Sequence, residues 1–441
     1  MTSAMLMNEM ASAVHKAKPI RKGGVVTRVV GLTIESSGPQ ASIGDVCLVR
    51  AATKTGGDHD VLAEVVGFKE GRTILMPVGE MTGVSPGDAV IATGHPIEAE
   101  VGWELLGRVL DGLGRPIDDG PPLSGTRPVS VFREPPDPVR RPRVHEILPL
   151  GIRAIDGILT VGRGQRVGIF SGSGVGKSTV LGMMARYTAA DVVVVSLVGE
   201  RGREVRDFIE RDLGPEGLRK SVVIVATSDK PPLVRARAAY VATTIAEFFR
   251  DQGKDVLLLM DSVTRYCRAL REVALSVGEP PGLRSFPPSV FSTLPKLLER
   301  AGTAERGSIT GLYTVLVDSD DMNEPVADNV RGILDGHVVL SRELASRNHY
   351  PAVDILQSIS RLMNDIVERR QVELAGRVKE LTAVYKDAED LIRIGAYVDG
   401  SDPRIDDAKK RIRSIEDFLK QRVDDGSPYD ATLKALTALG A

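Results

Sequence analysis

The stretch Ser171-Gly172-Ser173-Gly174-Val175-Gly176-Lys177-Ser178-Thr179 constrains this chain more than any other feature. An apolar strand signature at 166–170 precedes it, and residues 177–187 follow with helical spacing. Glycines at such a turn let consecutive backbone N–H groups face inward and cradle phosphate oxygens, while the helix N-terminus adds a positive dipole. Gly172, Ser173, Gly174, Val175, Gly176, Lys177, Ser178 and Thr179 are therefore expected to wrap the phosphates of a nucleotide. Lys177 would reach the β- and γ-phosphates and the Ser178 hydroxyl would ligate Mg²⁺. The strict pattern has Gly where this chain has Ser171, a position that only begins the turn. The bland alternative is a glycine-rich turn with an incidental lysine, and the flanking strand and helix argue against it.

A phosphate loop of this kind needs a parallel sheet behind it, and the chain supplies one. Apolar β runs recur at 166–170, 192–198, 222–226, 256–260, 309–317 and 338–340, with helical patterns between them, including 177–187 and 232–251. Continuous apolar runs separated by helices predict a sheet covered on both faces. At 441 residues there is more chain than one core of ~250–300 residues can use. Residues 23–95 carry short β runs at 25–34, 47–51, 61–68, 72–76 and 89–92, with a hairpin turn at 68–72, and predict a small closed barrel. Eight prolines between Pro121 and Pro149 place an extended connector within 96–150. The nucleotide core spans 151–360. From 361 to 441 the periodicity is helical, at 362–366, 372–384 and 408–419, with a break at Gly400-Ser401-Asp402-Pro403. The fold class is thus α/β, with a P-loop core, a small N-terminal β-barrel and a C-terminal helical domain. Residues 1–22 form a separate segment: Leu6, Met7, Met10, Val14 and Ala17 recur at helical spacing before Pro19.

Composition removes several classes. Lys and Arg number 57 against 59 Asp and Glu, and aromatics are 4%, so neither a basic nucleic-acid binder nor a base-stacking platform is expected. Two cysteines, Cys47 and Cys267, make neither a disulfide framework nor a zinc cluster. No apolar run approaches the ~18 residues of a membrane span, and no secretory h-region opens the chain, so a cytoplasmic location is expected.

Two carboxylates complete the chemistry. Asp261 ends the apolar run 256–260, where it can hold Mg²⁺ through water, although apolar strands also end in Asp at a helix cap. Glu200, just past the run 192–198, could polarise an attacking water, or simply pair at the surface with Arg201 or Arg203.

Gly199-Glu200-Arg201, Asp261-Ser-Val-Thr-Arg265-Tyr266, Gly278-Glu-Pro-Pro281, Tyr350-Pro-Ala-Val-Asp354 and Ser358-Ile-Ser-Arg361 together resemble the rotary ATPase superfamily. Pro287-Pro-Ser-Val-Phe291, Gly395-Ala-Tyr-Val-Asp-Gly-Ser-Asp402 and the variant P-loop are most similar to the ATPases of type III protein export. The resemblance runs from Gly23 onward. It implies that Glu200 is the catalytic carboxylate, that Arg201 and Arg265 lie near the γ-phosphate, and that Glu204 is an acid behind them. It also implies that Tyr350 stacks on adenine and that Arg361 is an arginine finger reaching a neighbouring subunit's nucleotide. An Arg satisfied inside its own domain is the alternative for Arg361.

The same resemblance implies Mg²⁺ with ATP, a homo-hexamer, a FliH-type regulator at the N-terminal segment and a FliJ-type stalk protein. Export-gate membrane proteins would be further partners, with substrates and chaperones at the C-terminal domain, no nucleic acid, and peripheral attachment at the inner face of the cytoplasmic membrane. Flagellar export is the leading reading and injectisome secretion the alternative. A catalytic subunit of a proton-translocating ATP synthase, an RNA translocase and a regulatory subunit without turnover are more distant. Glu200 together with Arg361 in one chain suits a homo-oligomer, and Glu200 has no chemical use in a subunit that does not hydrolyse ATP.

Overall fold

The computed structural model describes residues 23–52, 58–317 and 321–440; the segment 1–22 lies outside them. The chain forms two compact units, one running to Ile97 with Ser276–Glu279, the other comprising Glu98–Leu275 and Pro280–Ala441.

The first unit is built from six strands: β1 (Gly23–Val30), β2 (Thr33–Ser37), β3 (Asp45–Ala52), β4 (Asp58–Lys69), β5 (Arg72–Pro77) and β6 (Ala89–Pro96). They close in the order β1-β2-β5-β4-β3-β6, and closure leaves no edge to pair with another chain. Cys47, Val49 and Ala51 on β3 and Val61, Ala63 and Val65 on β4 alternate into the barrel interior, the period of two that a strand imposes. The run 25–34, expected as one strand, is two strands. Gly31 at φ 55 turns the chain so that Val30 faces Thr33. Valine and threonine on both sides of that glycine hide the turn from a propensity reading. The hairpin at 68–72 is present, with Glu70 and Gly71 at φ 51 and 75 and Lys69 opposite Arg72, the two left-handed residues of a type I′ turn.

The second unit is organised by a sheet of β7 (Val109–Asp111), β8 (Arg166–Ser171), β9 (Val192–Val198), β10 (Ser221–Ala226), β11 (Asp255–Asp261), β12 (Ser308–Leu316), β13 (Gly336–Leu340) and β14 (Val353–Ser360). Their order is β14-β13-β8-β12-β11-β9-β10-β7, parallel along this path except for β14 against β13, and off it the two residues Gly302–Thr303 pair antiparallel with β12 as a ninth strand. Every residue of β9 is buried, so side chains on both faces of that strand are covered. The P-loop strand β8 lies between β12 and β13, placing its C-terminal end inside the sheet, where ligands of open α/β sheets gather.

Of these eight strands, two escaped the sequence pattern. Val109–Asp111 is only three residues long, and Val353–Ser360 mixes Asp354, Gln357 and Ser358 into its apolar positions. Within the proline-rich connector, Arg127–Ser130 pairs with Glu98–Val101 as a two-stranded ribbon, where every strand is an edge and Pro128 does not break a ladder.

The helical region consists of Met363–Ile366, Arg369–Arg393, Pro403–Leu419 and Tyr429–Gly440. Asp402 caps the third by accepting the Arg404 N–H at 2.9 Å, with Pro403 in the first turn. The last helix was not expected from the sequence. No described helix is long and apolar enough to cross a membrane.

Candidate active site

β8 delivers the chain to Gly172, and two left-handed glycines, Gly174 at φ 79 and Gly176 at φ 86, turn it into the helix Lys177–Tyr187. That helix starts without a side-chain cap, so its first N–H groups are open to an anion. A Cβ on Gly176 would lie 3.5 Å from Tyr350 Cε1, which places the half-exposed Tyr350 ring beside the phosphate loop.

Three strand ends converge on Lys177. Its Nζ is paired with Asp261 Oδ1 at the end of β11 and lies 3.4 Å from Glu200 Oε1, just past β9. Thr314 of β12 donates its hydroxyl to Asp261 Oδ1 at 2.7 Å. Arg265 completes the cluster with Nη1 2.5 Å from Glu200 Oε2 and 2.7 Å from the Gly199 carbonyl. Gly199 sits at φ 70, and a Cβ there would be 3.0 Å from Arg265 Cδ. Only glycine meets both demands.

Glu200 is 7% exposed. Burial, then the negative charge of Asp261, then its hydrogen bond with Glu204 push its carboxyl up to about 7, against the opposing pull of Lys177 and Arg265. The same hydrogen bond holds Glu204 below the usual carboxylate range. A carboxylate that exchanges a proton near neutrality, at the end of a strand and beside two cations, is equipped to accept a proton from water.

Lys177, Glu200, Asp261 and Arg265 are brought together as a cluster, with Tyr350 beside the loop. Arg201 is not part of it: its side chain is exposed and lies 3.4 Å from Glu204 Oε1, at the start of the helix Gly202–Asp207. Surface pairing, weighed for Glu200, belongs instead to Arg201. Arg361 is also exposed, and its Nη2 donates to the Arg331 carbonyl at 3.3 Å. Thr314 is the member that sequence reasoning missed. Its signal is faint: a hydroxyl inside the apolar strand Ser308–Leu316, next to the strand that ends in Asp261.

The fold and the cluster define a P-loop nucleotide-binding ATPase with a β-barrel unit and a C-terminal helical region. Residues 151–360 match the nucleotide-binding domain of the ATP synthase alpha/beta family and residues 26–94 its beta-barrel domain. Residues 367–438 match the C-terminal domain of the type III secretion ATPase EscN. The flagellum-specific ATP synthase of Bacillus subtilis strain 168 is 50% identical over 99% of both chains. The type 3 secretion system ATPase of Xanthomonas euvesicatoria is 51% identical over 95% of this chain and 94% of its own. The assembled ATPase EscN of the enteropathogenic E. coli type III secretion system superposes with a TM-score of 0.88 at 48% identity, over 95% of this chain and 100% of that one. EscN in complex with its central stalk EscO gives 0.87 at 47%, with the same coverage. The chain belongs to the ATP synthase alpha/beta family, in its type III export branch, and is an ATPase.

Proposed function

We propose that the chain works as a homo-hexameric ring hydrolysing Mg·ATP to energise type III protein export, with the segment divisions 1–22, 23–95, 96–150, 151–360 and 361–441 as its working parts. The observation that carries the chemistry is Glu200, buried between Lys177 and Arg265 with a proton affinity near neutrality. Lys177 pairs with Asp261; bound triphosphate would draw it onto the β- and γ-phosphates, freeing Asp261. The Ser178 hydroxyl and the Asp261 carboxylate are hard oxygen donors of the kind Mg²⁺ takes, and they would hold it with the phosphates. The cation, when bound, neutralises charge on the triphosphate. Glu200 takes the proton of the attacking water, while Lys177 and Arg265 meet the charge that develops on the transferred phosphoryl group. Tyr350 stacks on the base. The exposed Arg361 is free to reach a neighbouring subunit's nucleotide, whereas the Arg201 guanidinium is paired with Glu204 at the surface.

The test is Glu200→Gln. It should bind ATP as the native chain does and turn over at least ~100-fold more slowly, the scale of a lost general base. Normal turnover would remove Glu200 from the role.

Relatives from flagellar and secretion systems are similar to nearly the same degree, at 50% and 51% identity. We take flagellar export as the first reading. Injectisome secretion is the second reading. Restoration of swimming in a strain lacking its flagellar ATPase, against restoration of secretion in one lacking its injectisome ATPase, separates them. A FliH-type regulator on residues 1–22, a FliJ-type stalk in the ring, contact with the export gate at the membrane, and substrates and chaperones on the helical domain belong to the same proposal.

A further inference from the structure

The backbone that carries Tyr350 is held by a residue more than 70 positions further along the chain. Gln421 follows the helix Pro403–Leu419 and is 6% exposed. Its backbone N–H donates to the Tyr350 carbonyl at 2.9 Å. Its side chain accepts the Arg153 N–H at 2.8 Å and donates to the carbonyls of Gly151, at 2.7 Å, and Asp425. Arg153 grips the same segment from the other side. Its Nε donates to the Phe418 carbonyl at 2.8 Å, its Nη2 to the Lys420 carbonyl, and its Nη1 pairs with Asp425 at 3.2 Å. The Ser427 N–H adds a bond to the Gly151 carbonyl at 3.1 Å. Residues 418–427 are thus a strap clamped to the turn 151–153, and the strap reaches the Tyr350 loop through the N–H of Gln421.

Tyr350 is 41% exposed, so packing around its side chain does not by itself fix the height of the ring over Gly176. The backbone to which it is attached must do so. Stacking depends on ring separation and offset, so a loop that drifts by a fraction of an ångström loses base affinity without disturbing the phosphate cradle.

We propose that Gln421 is a positioning residue for the nucleotide base, locking the carbonyl of Tyr350 to the 151–153 turn and passing any displacement of the C-terminal helices to the base-stacking ring. This rests on the reading of Tyr350 as the stacking residue. The strap is the chemical link through which a protein that moves the helices Arg369–Arg393 and Pro403–Leu419 would alter nucleotide affinity, and by reciprocity through which nucleotide would alter affinity for that protein.

The experiment measures KM and kcat for ATP, and the inhibition constant of inorganic tripolyphosphate, which has no base, in four full-length chains: native, Tyr350→Ala, Gln421→Met and the double variant. Loss of stacking should raise the KM of Tyr350→Ala about tenfold or more. Gln421→Met keeps the side-chain length and removes its hydrogen bonds, and should raise KM roughly threefold, with kcat within about twofold of native. The double variant should be no worse than Tyr350→Ala alone, and tripolyphosphate should inhibit all four equally. Arg153→Ala, which loosens the strap from its exposed side, should shift KM in the same direction and keeps the test open if Gln421→Met does not melt cooperatively. A raised KM in Tyr350→Ala with native KM in both strap variants overturns the positioning role alone. A native KM in Tyr350→Ala overturns the stacking reading and the positioning role together. Equal losses of ATP and tripolyphosphate affinity in Gln421→Met would show general damage to the site and also overturn the proposal.

Discussion

At the scale of single residues, the site is a balance of two buried carboxylates against two cations. Asp261 is 3% exposed and Glu200 is 7% exposed, and Lys177 is shared between them. The pH behaviour follows from Glu200. Its unprotonated form is the base, so kcat/KM, which reports the free enzyme, should fall about tenfold per pH unit below about 7 and level off above it. A profile that stays flat to pH 5.5 would contradict this. Stability runs the other way. A carboxyl whose folded-state pKa is raised contributes stability that is fully present below its unfolded value and lost as pH rises through about 7. Glu200→Gln mimics the protonated form, so it should melt at a higher temperature than the native chain at pH 8. The gap should close toward pH 5. Much of this cluster was legible because Lys177, Asp261 and Glu200 lie at strand ends that the pattern already located. Arg201 stands outside the cluster, paired with Glu204, because sequence adjacency does not say which side of a helix start a side chain takes. Thr314 was invisible because a threonine in a strand is ordinarily a packing choice.

At the scale of elements, long buried ones were legible and edge ones were not. The helix Pro232–Asp251 and the strand Val192–Val198 lie where their apolar pattern puts them, since a buried element has little freedom to be anything but apolar. The edge strand Val353–Ser360 and the hairpin inside 25–34 depend on tertiary partners instead. The connector shows why proline density alone misleads about exposure: its Val131 is fully buried. Arg300 holds it there, with Nη1 on the Val131 carbonyl at 2.7 Å and Nη2 on Thr244 Oγ1 at 2.9 Å. Its Nε and Nη2 also grip both oxygens of Glu247 at 2.8 Å, and both side chains of that pair are 1% exposed. Removing one partner of such a pair leaves a buried charge and costs about 3–5 kcal/mol, whereas replacing both with apolar groups is far less costly. Arg133, 3.3 Å from Glu247 Oε2 and partly exposed, still partners the carboxylate when Arg300 is removed. Arg300→Met should therefore lower stability to denaturant by about 3 kcal/mol, the low end of that range, and adding Glu247→Leu should restore most of it. A double variant as unstable as the sum of the two single ones would mean that the pair does not act as a unit.

At the scale of the whole molecule, the described chain holds every part of the proposed chemistry except the means of bringing Arg361 to it. In its own chain Arg361 rests on Arg331, with its backbone N–H on the Asp335 carbonyl at 3.1 Å, while the cations on Glu200 are Lys177 and Arg265. An exposed arginine whose guanidinium is held, among the described residues, by a carbonyl has little to lose by moving onto a phosphate, where a charge-assisted bidentate contact is about twice as strong as a neutral hydrogen bond. If the finger acts between subunits, Arg361→Ala and Glu200→Gln chains are each inactive in uniform rings. Mixed rings then contain interfaces that pair an intact Glu200 with an intact Arg361, and activity should reappear there. In randomly mixed rings of equal proportions, about a quarter of the interfaces are of that kind. Hydrolysis should approach roughly that fraction of native activity if each interface fires independently, and less if firing must pass around the ring. Absence of any recovery in rings shown to be mixed would assign Arg361 to its own chain's nucleotide or to holding the end of the helix Pro325–Ile333.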